Sequence, residues 1–92
     1  MKTELFNIYG VAQKIASIAE GETRISLTTE IVRLTIYLQT GKTVYVTYNK
    51  KEKHIYSTIS EEEARRMLNI GFELIIIIKK SKELNKYKII EV

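Results

Sequence analysis

A chain of 92 residues makes one small domain, and its 45% hydrophobic and 28% charged residues are typical of a folded globular protein. Cysteine, aspartate, proline and tryptophan are absent, which excludes disulfides, thiolate nucleophiles and cysteine-based zinc sites. The net charge of +4 favours an acidic partner, and nucleic acid is the commonest partner of that kind.

The first predicted element is a helix from Glu4 to Glu20. Its apolar residues recur at spacings of three and four, namely Leu5, Ile8, Ala12, Ile15 and Ala19. Gly21 follows as a natural C-terminal stop. Gly10 is a weak point inside this helix, so either another backbone approaches closely there or the helix starts later.

Residues 24–39 are predicted to end in a strand, because apolar and polar residues alternate strictly from Val32 to Gln39. Residues 23–28 form either a separate short strand or the start of a long, bulged one. Residues 40–42 then read as a tight turn. In a competing interpretation, Thr28 to Leu38 is the recognition helix of a winged helix-turn-helix, and the hairpin that follows is its wing.

Two further strands, Thr43 to Tyr48 and His54 to Ile59, form a hairpin around a charged loop. Alternation directs one side of these strands towards the helices. The residues predicted to face the helices are Val32, Leu34, Ile36, Leu38, Val44, Val46, Ile55 and Ile59, together with Tyr48.

The segment from Ser60 to Gly71 carries the clearest helix signals. Ser60 is a good N-cap, and Glu63 three residues later completes a capping box. Glu61 begins a run of three glutamates that suits the positive end of the helix dipole. The predicted buried side consists of Ala64, Met67, Leu68 and Ile70, and Gly71 ends the helix.

The last two elements are strands, Phe72 to Ile78 and Tyr87 to Val92. The first is apolar on both faces, which suggests either a central place in the sheet or a dimer contact. The predicted fold is therefore α+β, in the order α-β-β-β-α-β-β. It consists of a mainly antiparallel sheet of about five strands with two helices packed on one face.

Few residues in this sequence are suited to catalysis. His54 is the single histidine, no serine stands in a nucleophile-elbow context, and the glycines are too far apart for a phosphate loop. The three glutamates before Ala64 are explained by helix capping rather than by metal binding. We therefore expect no enzyme activity, no cofactor and no metal site.

The sheet face that points away from the helices carries the binding prediction. Tyrosines there could stack on unpaired bases while nearby lysines neutralise phosphates, so single-stranded nucleic acid is the favoured partner. The candidate binding residues are Arg33, Tyr37, Lys42, Tyr45, Lys50, Lys51, Lys53, His54 and Tyr56. The simpler explanation is that tyrosine favours strands and that lysines at a hairpin tip form a solvated turn.

The alternative function is a protein-interaction module, such as a small regulator or a viral inhibitor that binds an acidic host protein. In that case a homodimer is expected through strands 72–78 and 87–92. The longest purely apolar run, residues 74–78, is far shorter than a membrane span. We expect an intracellular, cytoplasmic protein, and the bias towards Ile, Lys and Glu is typical of thermophiles and of AT-rich genomes.

Overall fold

The computed structural model describes residues 2–18, 24–83 and 85–92, and the side chains of residues 4–18, 28–83 and 85–92. Within these ranges the elements follow the order β-α-α-β-β-α-β-β. The strands are β1 (Lys2–Phe6), β2 (Val44–Asn49), β3 (His54–Thr58), β4 (Glu73–Lys80) and β5 (Tyr87–Glu91). The helices are α1 (Ile8–Ile18), α2 (Arg24–Gln39) and α3 (Glu61–Asn69).

The strands form one sheet in the order β1-β5-β4-β2-β3, and each neighbouring pair is antiparallel. The predicted α+β class with a mainly antiparallel sheet is confirmed. Both β4 and β5 have a neighbour on each side, so the central place predicted for residues 72–78 is correct. A dimer through these two strands could therefore use only their side chains, because their backbone hydrogen bonds are already made.

Helices α1 and α2 cover one face of the sheet, which we call the inner face. The core on this side contains Val11, Ile15, Leu34, Leu38, Val44, Val46, Ile55, Ile76, Ile78, Tyr87 and Ile89. Val46 pairs with Ser57, and the Ser57 hydroxyl donates to Glu30 of α2 at 3.2 Å. Branched aliphatic side chains from both helices and four strands therefore supply most of the burial that stabilises the domain.

Helix α3 lies on the opposite, outer face, which corrects the prediction of two helices on one face. Thr58 follows Ser57 on β3, so its side chain points to the other side of the sheet. There its hydroxyl donates to the Glu63 carboxylate of α3 at 3.1 Å. Thr47 on the same face is fully buried, so α3 covers the β2–β3 half of the outer face.

The predicted helix from Glu4 to Glu20 is wrong at its N-terminus, because residues 2–6 form an edge strand. Helix α1 starts after Asn7, whose side-chain oxygen accepts from the Gly10 N–H at 2.8 Å. A Cβ on Gly10 would lie 2.8 Å from Cδ1 of Phe6. The explanation that the helix starts later is therefore confirmed, whereas the close neighbour of Gly10 is the Phe6 side chain and not another backbone. Gly21 lies outside the described residues.

The strand predicted within residues 24–39 is also wrong, because the whole segment is helix α2. Residues two apart in a helix lie about 200° apart, so alternating apolar residues fall on opposite sides. Leu34 and Leu38 are buried, whereas Val32 and Ile36 are 55% and 56% exposed. The helical part of the winged interpretation is right, but β2 and β3 belong to the five-stranded sheet and do not form a wing.

Gly41 ends α2 rather than turning between two strands. Its φ of +76° is in the left-handed region, and its N–H donates to the Leu38 carbonyl at 3.1 Å. This arrangement is the usual glycine stop of a helix. The predicted core is accordingly right for Leu34, Leu38, Val44, Val46, Ile55 and Tyr48 and wrong for the exposed Val32, Ile36 and Ile59.

Helix α3 has the predicted ends but only half of the predicted capping box. The Ser60 hydroxyl accepts from the Glu63 N–H at 3.1 Å, whereas the Glu63 carboxylate bonds to Thr58 on β3. Gly71 ends the helix with a φ of +106°, and its N–H donates to the Leu68 carbonyl. Of the predicted buried side, Ala64 is buried and Met67 partly so, while Leu68 and Ile70 are exposed.

Candidate nucleic-acid interface

The predicted binding residues do not share one strand face. Arg33 and Tyr37 belong to α2, so the prediction that they line the sheet beside the other tyrosines is corrected. Tyr45, His54 and Tyr56 do lie on the outer face, because they alternate with the inner-facing residues of β2 and β3. Lys42 lies in the α2–β2 turn, and Lys50, Lys51 and Lys53 lie in the β2–β3 turn.

Three of these residues meet at the edge strand β3. The Arg33 guanidinium carbon lies 5.0 Å from the centre of the Tyr56 ring, within the range of a cation–π interaction. The rings of His54 and Tyr56 are 6.4 Å apart, and His54 also contacts Phe72 edge-on at 6.2 Å. The Tyr56 hydroxyl donates to Glu63 at 2.9 Å. These side chains connect α2, β3 and α3, so they serve the fold.

The hydrogen bond to Glu63 is the main reason why the pKa of Tyr56 lies above its ordinary value of 10.0. Burial and the negative charge of Glu63 raise this pKa further, while the nearby Arg33 lowers it. The phenol is therefore protonated at neutral pH and acts as a fixed donor. Its position between two helices leaves its ring poorly placed to stack on a base.

The β2–β3 turn, residues 50–53, has exposed lysine side chains and its own internal hydrogen bond. The Asn49 side chain accepts from the Glu52 N–H at 3.0 Å, and Lys53 has a φ of +54°. Such a side-chain bond two or three residues along the chain is typical of tight turns. The simpler explanation of this loop as a solvated turn accounts for these features, and Glu52 lowers the formal charge of residues 50–53 from +3 to +2.

A larger concentration of charge lies in the β4–β5 hairpin, where the sequence analysis named no residue. Residues 79–88 contain five lysines and one glutamate, so their formal charge of +4 equals that of the whole chain. Acidic and basic residues therefore balance over the rest of the protein. The five lysines are Lys79, Lys80, Lys82, Lys86 and Lys88.

Lys42 belongs to the same end of the sheet as this hairpin. Val44 pairs with Ile78, and because the strands are antiparallel, residues before Val44 lie beside residues after Ile78. We call the set Lys42, Lys79, Lys80, Lys82, Lys86 and Lys88 the basic end. The predicted residue Lys42 is thus joined by five lysines that a charge count in a ten-residue window would have found.

Hydrogen bonds join the described residues on either side of the hairpin turn. The Ser81 N–H donates to the Lys86 carbonyl at 3.0 Å, and the Glu83 N–H donates to the Ser81 hydroxyl at 3.2 Å. A concavity of about 360 Å³ is lined by Lys79, Lys80, Ser81, Lys82, Glu83 and Lys88. Lysines around a hollow suit an anionic group such as a phosphate.

The outer face next to the basic end carries a row of partly exposed apolar side chains. Tyr45 pairs with Ile77, and Ile77 pairs with Ile90, so the three lie side by side on β2, β4 and β5. We call Tyr45, Ile77 and Ile90 the outer row. Two register positions further towards the hairpin, and so on the same face, Lys79 pairs with Lys88, and both are exposed. Aromatic, apolar and basic groups thus share one surface.

Comparison with known proteins gives no relative from which a role could be transferred, since no family model, curated protein or solved structure matches this chain. Among the described residues, no group of three or more His, Cys, Asp or Glu side chains is arranged to hold a metal ion. No helix in the same part of the chain is both long enough and apolar enough to cross a membrane. Function must therefore be inferred from the surface chemistry.

Proposed function

We propose that this protein is a non-enzymatic nucleic-acid-binding protein whose phosphate contacts come from the basic end. The observation that supports this most is the concentration of the whole net charge in residues 79–88. Clustered lysines attract a polyanion at long range and release its counterions on binding. The β2–β3 lysines, at the other end of β2, are a second and weaker candidate for the same contacts.

The test is binding of fluorescently labelled oligonucleotides, measured by anisotropy between about 50 and 200 mM salt. The test variant replaces Lys79, Lys82 and Lys88 with glutamine. We expect weaker binding and a salt dependence that is flatter by about two to three units of slope, because each lost phosphate contact removes about 0.7 to 0.9.

The matched control replaces Lys50, Lys51 and Lys53 with glutamine, which removes the same charge from the other turn. We expect this control to keep nearly the wild-type slope. If the control loses more affinity than the test variant, the contacts belong to the β2–β3 turn. If the wild-type protein binds no oligonucleotide at low salt, the proposed function is wrong.

The second candidate function, a protein-interaction module that forms a homodimer, is favoured by a different observation. Val32 and Ile36 lie one turn apart on α2 and are both more than half exposed. Exposed apolar side chains at this spacing suit a helix-to-helix contact. Light scattering over a range of protein concentrations tests it: a dimer that Val32→Ser with Ile36→Ser abolishes would support this candidate, and a monomer throughout would exclude it.

A further inference from the structure

The outer row and the lysines beside it form one continuous surface on three adjacent strands. Neighbouring strands lie about 4.8 Å apart, so the row from Tyr45 to Ile90 spans about 10 Å. Lys79 lies two residues after Ile77, and Lys88 lies two residues before Ile90, so all four side chains are on the outer face. Two residues of strand cover about 7 Å. The charged and apolar parts of this surface therefore lie about one nucleotide apart.

Helix α3 limits this surface on one side. Thr58 pairs with Tyr45, and its hydroxyl is bonded to Glu63 of α3. Thr47, two residues further along β2, is already fully buried. Tyr45 is therefore the first residue of β2 on this face that α3 leaves partly open, and from there the surface extends across β4 and β5.

The chemistry of this surface distinguishes between types of occupant. A duplex presents its phosphates but hides the faces of its bases, so it gains nothing from the outer row. A single strand exposes base faces, which stack on aromatic side chains whatever the sequence. A second copy of the chain would bring the same Lys79 and Lys88 to a two-fold interface, and like charges would then oppose each other.

We infer that this surface binds single-stranded nucleic acid, with phosphates along Lys79 and Lys88 and a base on Tyr45 beside Ile77 and Ile90. The inference rests on the proposed function and adds the strand type and the residue on which a base stacks. Tyr45, unlike Tyr56, has its ring on the open part of the outer face. The charge of the lysines suits the phosphate of a nucleotide, and the apolar character of the outer row suits its base.

The test compares an unstructured single-stranded oligonucleotide with a duplex of the same length by anisotropy. Tyr45→Leu keeps an apolar side chain but removes the ring, and Tyr45→Phe is the matched control that keeps the ring. We expect Tyr45→Leu to weaken single-strand binding by about 5- to 150-fold, the effect of losing one base stack, and to change duplex binding less than about twofold. Tyr45→Phe should bind like the wild type.

Methyl signals of Ile77 and Ile90 in the NMR spectrum of the wild-type protein give a second measurement that needs no variant. A base stacked over the row should shift these signals on addition of the single strand and not of the duplex. The inference is overturned if the signals stay in place, or if Tyr45→Leu affects both oligonucleotides equally. It is also overturned if polyglutamate competes better than the single strand, which would indicate an acidic protein.

These results separate the inference from the proposed function. Salt-dependent binding that needs Lys79 and Lys88 but ignores Tyr45 would leave the proposed function in place and refute the single-strand inference. Failure of the wild type to bind either oligonucleotide would refute both.

Discussion

Glu30 is a buried carboxylate whose removal should be costly. It is only 6% exposed, and its Oε2 accepts from the Ser57 N–H at 3.1 Å and from the Ser57 hydroxyl at 3.2 Å. Ser57 is itself 2% exposed, so neither donor can turn to water instead. Hydrogen bonds to a charged group contribute about 1.5 to 3 kcal/mol each. We therefore expect Glu30→Ala to lower the free energy of unfolding by about 3 to 5 kcal/mol.

Glu30→Gln keeps one oxygen acceptor for Ser57 but loses the negative charge. The ion pair with Arg33, at 3.4 Å, is also lost, although it contributes less than about 1 kcal/mol because the arginine is partly solvated. We expect a cost of about 1 to 2 kcal/mol for this variant. The difference in unfolding free energy between Glu30→Ala and Glu30→Gln therefore measures the contribution of the oxygen acceptor separately from that of the charge.

Urea unfolding followed by circular dichroism measures both variants against the wild type. Glu52→Ala is the control, because Glu52 is an exposed glutamate in a turn and its loss should change stability by less than about 0.5 kcal/mol. A cost below about 1 kcal/mol for Glu30→Ala, or equal costs for alanine and glutamine, would refute the role assigned to these hydrogen bonds.

Three further predictions concern single side chains. Ser60→Ala removes the N-cap bond to the Glu63 N–H and should cost about 1 kcal/mol in urea unfolding; no loss would mean that the cap contributes nothing. Gly10→Ala places a Cβ 2.8 Å from Phe6, so we expect a loss of about 1 to 3 kcal/mol, and a higher melting temperature would contradict the close contact. The pKa of Tyr56 is raised, so the folded state holds the phenol proton more tightly than the unfolded state. The stability that results is complete below the ordinary pKa of 10.0, and it is lost as the pH rises through the raised pKa. The stability difference between the wild type and Tyr56→Phe should therefore stay constant below the ordinary pKa of 10.0 and shrink as the pH rises above it, and a constant difference throughout would exclude this linkage.

The segment 24–39 explains why the sequence predicted part of the fold and not the rest. Strict alternation is a strand signal only when one side is buried and the other is solvated. Here Leu34 and Leu38 are buried, but Val32 and Ile36 are exposed, so the four apolar residues do not share a face. Gly41 added to the error, since a glycine after an apolar run ends a helix as readily as it turns a hairpin. Tertiary packing, which the local sequence pattern does not show, decides between helix and strand for this segment.

The second half of the chain was more predictable because its signals are local and agree with one another. The N-cap Ser60 and the stop at Gly71 both bound α3 as expected, and the hairpin β2–β3 follows from alternation. The candidate site was harder to predict. The lysines around Lys82 are visible in the sequence as a local excess of charge over residues 79–88, but their proximity to Lys42 depends on the register between β2 and β4, which no local pattern gives.

The pairing of β1 with β5 has a consequence for the way this protein folds. Residue 2 pairs with residue 91 and residue 6 with residue 87, so this ladder joins parts of the chain that are far apart in sequence. On a ribosome, β1 is made first but has no partner strand until β5 emerges. Pairings of such long range slow folding, because the chain entropy is lost before the contact is gained. The edge of the sheet that is synthesised first is therefore completed last.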